Sequence, residues 1–149
     1  MANPDLFFDS SALVSGIISA QGAARALLLM AEARVLAITV STQVIAESER
    51  AIARVAPHAL VAFREAVRSS GLQIVPDPTL EEVQAHLNVI AHPADVPIVV
   101  AAMQARVDYL VTLNRRHFID DPAVSARSGV RIGSPGDALA WVREQIAGA

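Results

Sequence analysis

Short apolar runs alternate with longer stretches of helical spacing along the whole chain. The runs that predict strands are 6–8, 35–40, 72–75 and 109–113. The stretches that predict helices are 23–33, 42–55, one that ends near residue 69, one from 79 to about 90, 95–107 and one after residue 134. Thr79 with Glu82, and Ser134 with Asp137, have the spacing of helix-capping pairs.

This order of elements predicts the fold class. Strands that are separated by helices pair in parallel, so we expect an α/β fold, a three-layer α/β/α sandwich around a mainly parallel central sheet. No repeat, low-complexity stretch or linker-like segment interrupts the pattern. We therefore expect residues 1–149 to form a single domain with its own core.

Composition excludes several classes of chemistry. The chain has no cysteine, which removes disulfide frameworks, cysteine-ligated zinc and thiol nucleophiles. All 12 basic residues are arginine, so mechanisms that need a lysine, such as Schiff bases and Walker-type phosphate loops, are also excluded. The formal net charge is −3, and a weakly acidic chain binds nucleic acid only through a local arginine patch or through bound cations.

Neither a signal peptide nor a membrane span is expected. The N-terminus has no basic stretch before its first apolar run, and it carries Asp5 and Asp9. The most apolar region, 23–40, is interrupted by charged residues well before the roughly 20 apolar residues that a membrane helix needs. We expect a cytoplasmic protein that does not bind membranes.

Four oxygen-bearing side chains stand beside apolar elements: Asp9 after the first strand, Glu47 on a helix, Asp95 at a helix start and Asn114 after a strand. Oxygen ligands suit Mg²⁺ and Mn²⁺, and carboxylates that converge would repel one another without a cation. Each also has a simpler interpretation. Asp95 suits a helix start by itself, and periodicity does not choose between Glu47 and Glu49.

Basic residues give a weaker signal. Arg115, Arg116 and His117 form a tight cluster after the strand at 109–113, which suits either a solvated loop or a contact with a phosphate backbone. The chain has no HExxH motif, and Pro93 prevents one regular helix from carrying His92 with Asp95. We expect the four histidines to be satisfied locally or to face solvent.

Three segments together resemble the PIN domain family of metal-dependent ribonucleases, which includes the toxin subunits of bacterial toxin–antitoxin pairs. They are LFFDSSALVSGI (6–17), STQVIAESERAI (41–52) and ADVPIVVAAMQARVDYLVTLNRRHF (94–118), and they follow the family's order and approximate spacing. The resemblance spans most of the chain; no single segment is specific, and the third is the most informative. It implies a PIN-like fold and cleavage of single-stranded RNA by a water that a divalent cation activates.

The resemblance also implies roles for individual residues. Asp9, Glu47 and Asp95 would bind Mg²⁺ or Mn²⁺, with Glu47 preferred over Glu49 because VIAE aligns with the family's second acidic position. Ser11 would assist near Asp9. Asn114 stands where many members have a fourth aspartate, which leaves the occupancy of a second metal open.

Partners follow from the same resemblance, namely single-stranded RNA that binds near Arg115 and Arg116, an antitoxin protein and a second copy of the chain in a homodimer. The main alternative is a catalytically degenerate PIN-like domain that binds RNA or a protein without cleavage. A haloacid-dehalogenase-like phosphatase fits poorly. That chemistry uses a second aspartate where Ser11 stands, and it uses a lysine.

Overall fold

Five parallel strands form one sheet at the centre of the molecule. The computed structural model describes residues 3–148, so residues 1, 2 and 149 of the predicted domain lie outside the described range. The strands are β1 (Asp5–Phe8), β2 (Ala37–Ser41), β3 (Gln73–Val75), β4 (Tyr109–Val111) and β5 (Arg131–Gly133). Their order is β3-β2-β1-β4-β5, and every neighbouring pair is parallel. The first strand of the chain is therefore the central strand of the sheet.

Helices cover the sheet in two groups. They are α1 (Ser10–Ile18), α2 (Ala23–Glu32), α3 (Thr42–Val55), α4 (Leu60–Ser69), α5 (Leu80–Gln84), α6 (Val96–Ala105), α7 (Pro122–Ser128) and α8 (Pro135–Ala147). Helix α1 packs against α2, α3 and α4, and α2 packs against α8, whereas α6 packs against α5 and α7. The arrangement is the predicted three-layer α/β/α sandwich. Two short turns also matter for the site, a 3₁₀ turn at Pro93–Asp95 and a π-helical turn at Arg115–Ile119.

The core lies between the sheet and both helix groups. Leu6, Phe7 and Phe8 of β1 are completely buried, as expected for a central parallel strand with helices on both faces. Helix α6 has six buried residues in its ten, so it too is enclosed on most of its circumference. These unbroken apolar runs explain the high hydrophobic content of the sequence.

Helices α1 and α2 meet at a sharp angle. Within residues 3–148 no single helix is long and apolar enough to cross a membrane; α1 and α2 pass that test of length and composition only as a pair, with an 86° bend between them. Gly16 permits their close approach, because a Cβ atom there would lie 2.5 Å from Leu28 Cδ1 and 3.1 Å from the carbonyl oxygen of Ala24. Most apolar residues of both helices are buried against each other and the core, whereas Ile18 and Leu29 are exposed.

The predicted elements agree with the structure except in four places. The four predicted strands and both capping boxes are confirmed, with differences only at strand ends. The helix expected from residue 79 to about 90 ends at Gln84, because the apolar spacing there reflects burial of Val89 and Ile90 in irregular turns. Helices α1 and α7 and strand β5 are not in the prediction. Helix α1 has weak amphipathic contrast, because serine and glycine residues are interspersed among its apolar residues, and β5 has only three residues.

Candidate functional site

Polar residues follow four of the strands at the carboxyl edge of the sheet, and each caps the next helical segment. Asp9, Ser41, Asn114 and Ser134 each accept a hydrogen bond from a backbone N–H of the segment that follows. Parallel strands all end at the same edge, so the N-termini of these helical segments gather there. Helix N-termini favour negative charge, and this edge is where such folds commonly bind ligands.

Asp9 is held by hydroxyl groups and one amide. Its Oδ1 accepts from the Ser11 hydroxyl at 2.6 Å and from the backbone N–H of Ala12 at 2.9 Å, and its Oδ2 accepts from the Thr112 hydroxyl. A helix cap needs only one of these oxygens. Asp9 is 7% exposed, so its second oxygen makes a buried contact that capping does not require.

The electrostatics of Asp9 are unfavourable for an isolated carboxylate. Burial raises the pKa of the Asp9 carboxyl above its ordinary value, the hydrogen bonds from Ser11, Thr112 and Ala12 lower it, and the nearby charge of Asp95 raises it further. Among the described residues, no ion pair reaches Asp9. The effect of Asp95 on this pKa indicates that the two carboxylates are close enough to interact. No basic side chain among the described residues neutralises Asp9.

Glu47 approaches the same region from α3. Its Oε2 accepts from the hydroxyl of Ser10, the neighbour of Asp9, at 3.2 Å, and its Oε1 accepts from Gln43 Nε2 at 2.7 Å. Glu49 instead pairs with Arg64 on the surface, with 2.8 Å between Arg64 Nη2 and Glu49 Oε1. Of the two glutamates that periodicity could not separate, Glu47 is the one that contacts the residue beside Asp9.

Asp95 stands at the start of α6, where its backbone position is that of an N-cap but its side chain makes no capping bond. Its Oδ2 contacts His117 Nδ1 at 2.8 Å. An ionised carboxylate can only accept, so Nδ1 of His117 carries the proton in this contact. Asn114 contributes differently: its Oδ1 accepts from the backbone N–H of His117 at 3.2 Å and caps the π-helical turn.

The arginine cluster lies on this π-helical turn. Arg115 and Arg116 are both exposed. The pKa of Asp137 is lowered mainly by the backbone and side-chain hydrogen bonds from Ser134 and, to a smaller extent, by the positive charge of Arg115. Arg115 is therefore close to the start of α8, which follows β5. Asp120 is exposed, and Asp121 caps α7 by accepting from the backbone N–H of Ala123.

The donor atoms suit a hard divalent cation in their chemistry. Carboxylate oxygens are what Mg²⁺ and Mn²⁺ prefer, and the charge that acts on the buried Asp9 is the like charge of Asp95. The bonds described above also leave lone pairs on Glu47 and Asp95. Within residues 3–148, however, no three histidine, aspartate or glutamate side chains are grouped closely enough to hold a metal ion.

The sequence does not predict the structural roles of two residues at this site. Thr112 is completely buried beside Asp9 because Phe8 pairs with Val111 in the sheet, which brings the next residues of both strands side by side. The sequence feature that could have indicated this contact is the position of Thr112 directly after the apolar residues of β4. The sequence places His117 in a basic cluster with Arg115 and Arg116, and its spacing does not indicate the contact with Asp95.

Comparisons with known proteins agree with this architecture. No curated protein matches the chain. Among solved structures, the chain is similar to PAE2754 from Pyrobaculum aerophilum, with a TM-score of 0.64, 19% identity, and coverage of 95% of this chain and 90% of that one. It is also similar to a structure of FitAB bound to the IR36 DNA fragment, with a TM-score of 0.59, 15% identity, and coverage of 87% and 94%. A model of the PIN domain matches residues 5–116, which is most of the chain, so this protein belongs to the PIN domain family.

Proposed function

We propose that this protein is an endoribonuclease that depends on Mg²⁺ or Mn²⁺ and cleaves single-stranded RNA. PIN domains are generally nucleases, which supports the reaction class. The observation that carries the proposal is the buried Asp9, which has a raised pKa, lies near Asp95 and has no basic partner in the described chain. A carboxylate in that position is costly for folding, and a divalent cation would offset the cost.

Three side chains would hold the cation: Asp9, Glu47 and Asp95. They would have to draw closer together around it, because no three such side chains within residues 3–148 are grouped closely enough already. When bound, such a cation supplies a Lewis acid that lowers the pKa of a water and stabilises charge on phosphate oxygens. The hydroxyls of Ser11 and Thr112 orient the Asp9 carboxylate and favour its ionised form. Outer hydrogen bonds of this kind commonly fix the orientation of metal-binding side chains.

Two further residues would serve binding and orientation. His117 donates to Asp95 and fixes one of its oxygens, and Asn114 fixes the backbone of His117. In this role Asn114 needs no charge, so an asparagine in place of the aspartate of many PIN domains is compatible with activity. The exposed Arg115 and Arg116 would attract phosphates, which a chain with a net charge of −3 requires locally.

The test is cleavage of a labelled pool of single-stranded RNA by the purified protein, with Mg²⁺ or Mn²⁺. The same reaction with EDTA, and with the Asp95→Asn variant, provides the controls. We expect cleavage that both controls abolish. Absence of cleavage with either metal, together with absence of cation binding by calorimetry, would favour the alternative function, a catalytically degenerate PIN-like domain that binds RNA or a protein partner.

We also propose that the enzyme is the toxin of a toxin–antitoxin pair. PIN domains are often the toxins of such pairs, which supports this role. A small gene beside that of the toxin would encode the antitoxin. Co-expression of that gene product should suppress cleavage by the purified complex, and a product that leaves cleavage unchanged would contradict the role. The predicted homodimer can be checked by sedimentation of the free protein.

A further inference from the structure

Two histidine rings stack beside the candidate site. His92 directly precedes the 3₁₀ turn, and His117 lies in the π-helical turn, so the rings come from separate segments. Their centroids are 3.4 Å apart and their planes differ by 14°. His117 is fixed from two directions, by Asp95 at its Nδ1 and by Asn114 at its backbone N–H. The inner ring of the stack is thus held rigidly.

The outer ring is open to solvent. His92 is an exposed residue although His117 covers one face of its ring, so its exposed surface is the opposite face and the ring edge. Within residues 3–148 no hydrogen bond to the His92 ring is found. The following residue, Pro93, has a fixed φ angle and restricts the backbone of His92 as well. The stack with His117 and the restricted backbone thus both limit the orientations that this exposed ring adopts.

This geometry does not suit a metal ion. Imidazole nitrogens bind metals through lone pairs in the plane of the ring. Two nearly parallel planes direct these lone pairs side by side and not toward one point. One nitrogen of His117 is also occupied by Asp95. The stack presents a π face instead, and the natural ligand for such a face is another flat ring.

We propose that the His92–His117 stack is a platform on which an unpaired nucleobase of single-stranded RNA binds. This inference rests on the proposed function and adds a binding subsite to it. Histidine is among the side chains on which splayed-out bases stack, and such stacking tolerates any base because every base has a π face. A base on His92 would extend the stack to three rings and keep the strand next to Asp95.

The position of the stack also suits the path of an RNA strand. Arg115 and Arg116 precede His117 in the π-helical turn and are exposed, so the phosphate on one side of the bound base would meet positive charge. Asp95, which contacts His117, is also close to Asp9, because its charge raises the pKa of the Asp9 carboxyl. Because Asp95 and Asn114 fix the platform before binding, little entropy is lost when a base stacks on it.

The test measures affinity without cleavage. A fluorescently labelled oligoadenylate RNA is titrated with the protein in EDTA, and its anisotropy gives the dissociation constant. We expect His92→Ala to weaken binding roughly tenfold, the effect of losing one base–aromatic contact. His92→Phe, which keeps an aromatic face, should bind nearly as well as the wild type. His58→Ala serves as the matched control, because His58 is exposed in the turn between α3 and α4 and should not affect binding.

An oligomer of the same length that is abasic at every position tests the contact with a base. It should bind the wild type at least roughly tenfold more weakly, and His92→Ala should not weaken its binding further. Equal binding by wild type and His92→Ala would overturn the platform, as would undetectable binding by the wild type. Cleavage is measured separately with metal, so a nuclease without this platform, or a platform without cleavage, can be recognised.

Discussion

The two ends of β1 carry similar acidic groups in different surroundings. Asp5 begins the strand and Asp9 follows it, and each accepts a hydrogen bond from a buried threonine. Thr39 of β2 donates to Asp5, and Thr112, directly after β4, donates to Asp9. Burial raises the pKa of both carboxyls above the ordinary value, and a second aspartate nearby raises it further in each case. By these measures alone, either end could be a metal site.

The surroundings separate the two ends. At the amino end, the second aspartate is the exposed Asp108, whose Oδ2 accepts the backbone N–H of Asp5 at 2.8 Å and so fixes the strand start. At the carboxyl end, helical segments begin, Glu47 approaches, and exposed arginines follow β4. A close pair of carboxylates is therefore a poor guide to function by itself. Its position at the edge where helix N-termini gather distinguishes Asp9.

The largest expected difference between the ends is in cleavage. Asp9→Asn should reduce the rate by at least about a hundredfold, because a bound cation provides several kcal/mol of transition-state stabilisation. Asp5→Asn should cleave at the wild-type rate. Single-turnover rates of both variants on the same RNA, with melting temperatures as a folding control, make the comparison. If both variants lost activity equally, the special role of the carboxyl end would be refuted.

Cation affinity sharpens the comparison further. His117→Ala removes the donor that fixes Asp95, so we expect Mn²⁺ to bind roughly ten- to hundredfold more weakly by calorimetry in the absence of RNA. His117→Asn can place an amide N–H near the position of Nδ1 and should restore much of the affinity. His86→Ala is the matched control, because the His86 ring contacts the Glu82 carbonyl on α5 and makes no hydrogen bond to Asp9, Glu47 or Asp95 in the described structure. Unchanged affinity in His117→Ala would mean that the contact is purely structural.

The sequence was sufficient for four of the five strands but only partly for the site. Apolar runs predict β1, β2 and β4 because these strands are buried on both faces. The polar residues that follow β1 and β4 can also be identified directly from the sequence. Contacts across the sheet depend on register. The pairing of Phe8 with Val111 brings Thr112 to Asp9 across 103 residues of sequence, which no local pattern encodes.

Side-chain contacts between loops could not be predicted from the sequence either. The stack of His92 on His117 joins two irregular turns, and histidine spacing within either turn carries no periodic signal. Helix α1 was missed for a different reason, because three serines and one glycine are interspersed among its apolar residues and its amphipathic contrast is weak. The position of Asp9 at the end of a buried strand was therefore predictable, whereas the contacts of Thr112 and His117 that orient the carboxylates depend on the three-dimensional fold.

The two threonines allow a test at equal cost in stability. Thr112→Val and Thr39→Val each remove a hydrogen bond to a carboxylate, so each should lower the free energy of unfolding by about 1 to 2 kcal/mol. Only Thr112→Val should also weaken Mn²⁺ binding, by roughly tenfold. Urea unfolding and calorimetry measure the two effects separately. Thr112→Ser retains the hydroxyl and should bind Mn²⁺ like the wild type; weak binding by this variant would argue against orientation by the hydroxyl.

The smallest expected effect is the pH dependence of stability at Asp5. Folding raises the pKa of the Asp5 carboxyl, mainly through burial, so the folded state binds more protons than the unfolded state as the pH rises from the ordinary pKa of about 3.9 to the folded value. Stability from this group is therefore present at acidic pH and is lost as the pH rises through that interval. Asparagine does not titrate and keeps an oxygen for Thr39. Asp5→Asn should thus be more stable than the wild type at neutral pH, by about 0.5 kcal/mol because solvent screens this half-buried group.

Below the ordinary pKa of aspartate, wild type and Asp5→Asn should have the same free energy of unfolding, because both side chains are then neutral. Urea unfolding of the two proteins across the acidic range tests this, since all other titrating groups cancel in the difference. Asp108→Asn removes the smaller charge contribution and should show the same trend more weakly. A stability difference that grew toward acidic pH would mean that the Asp5 carboxylate stabilises the fold. The amino end would then resemble a paired structural site, and its likeness to the carboxyl end would be superficial.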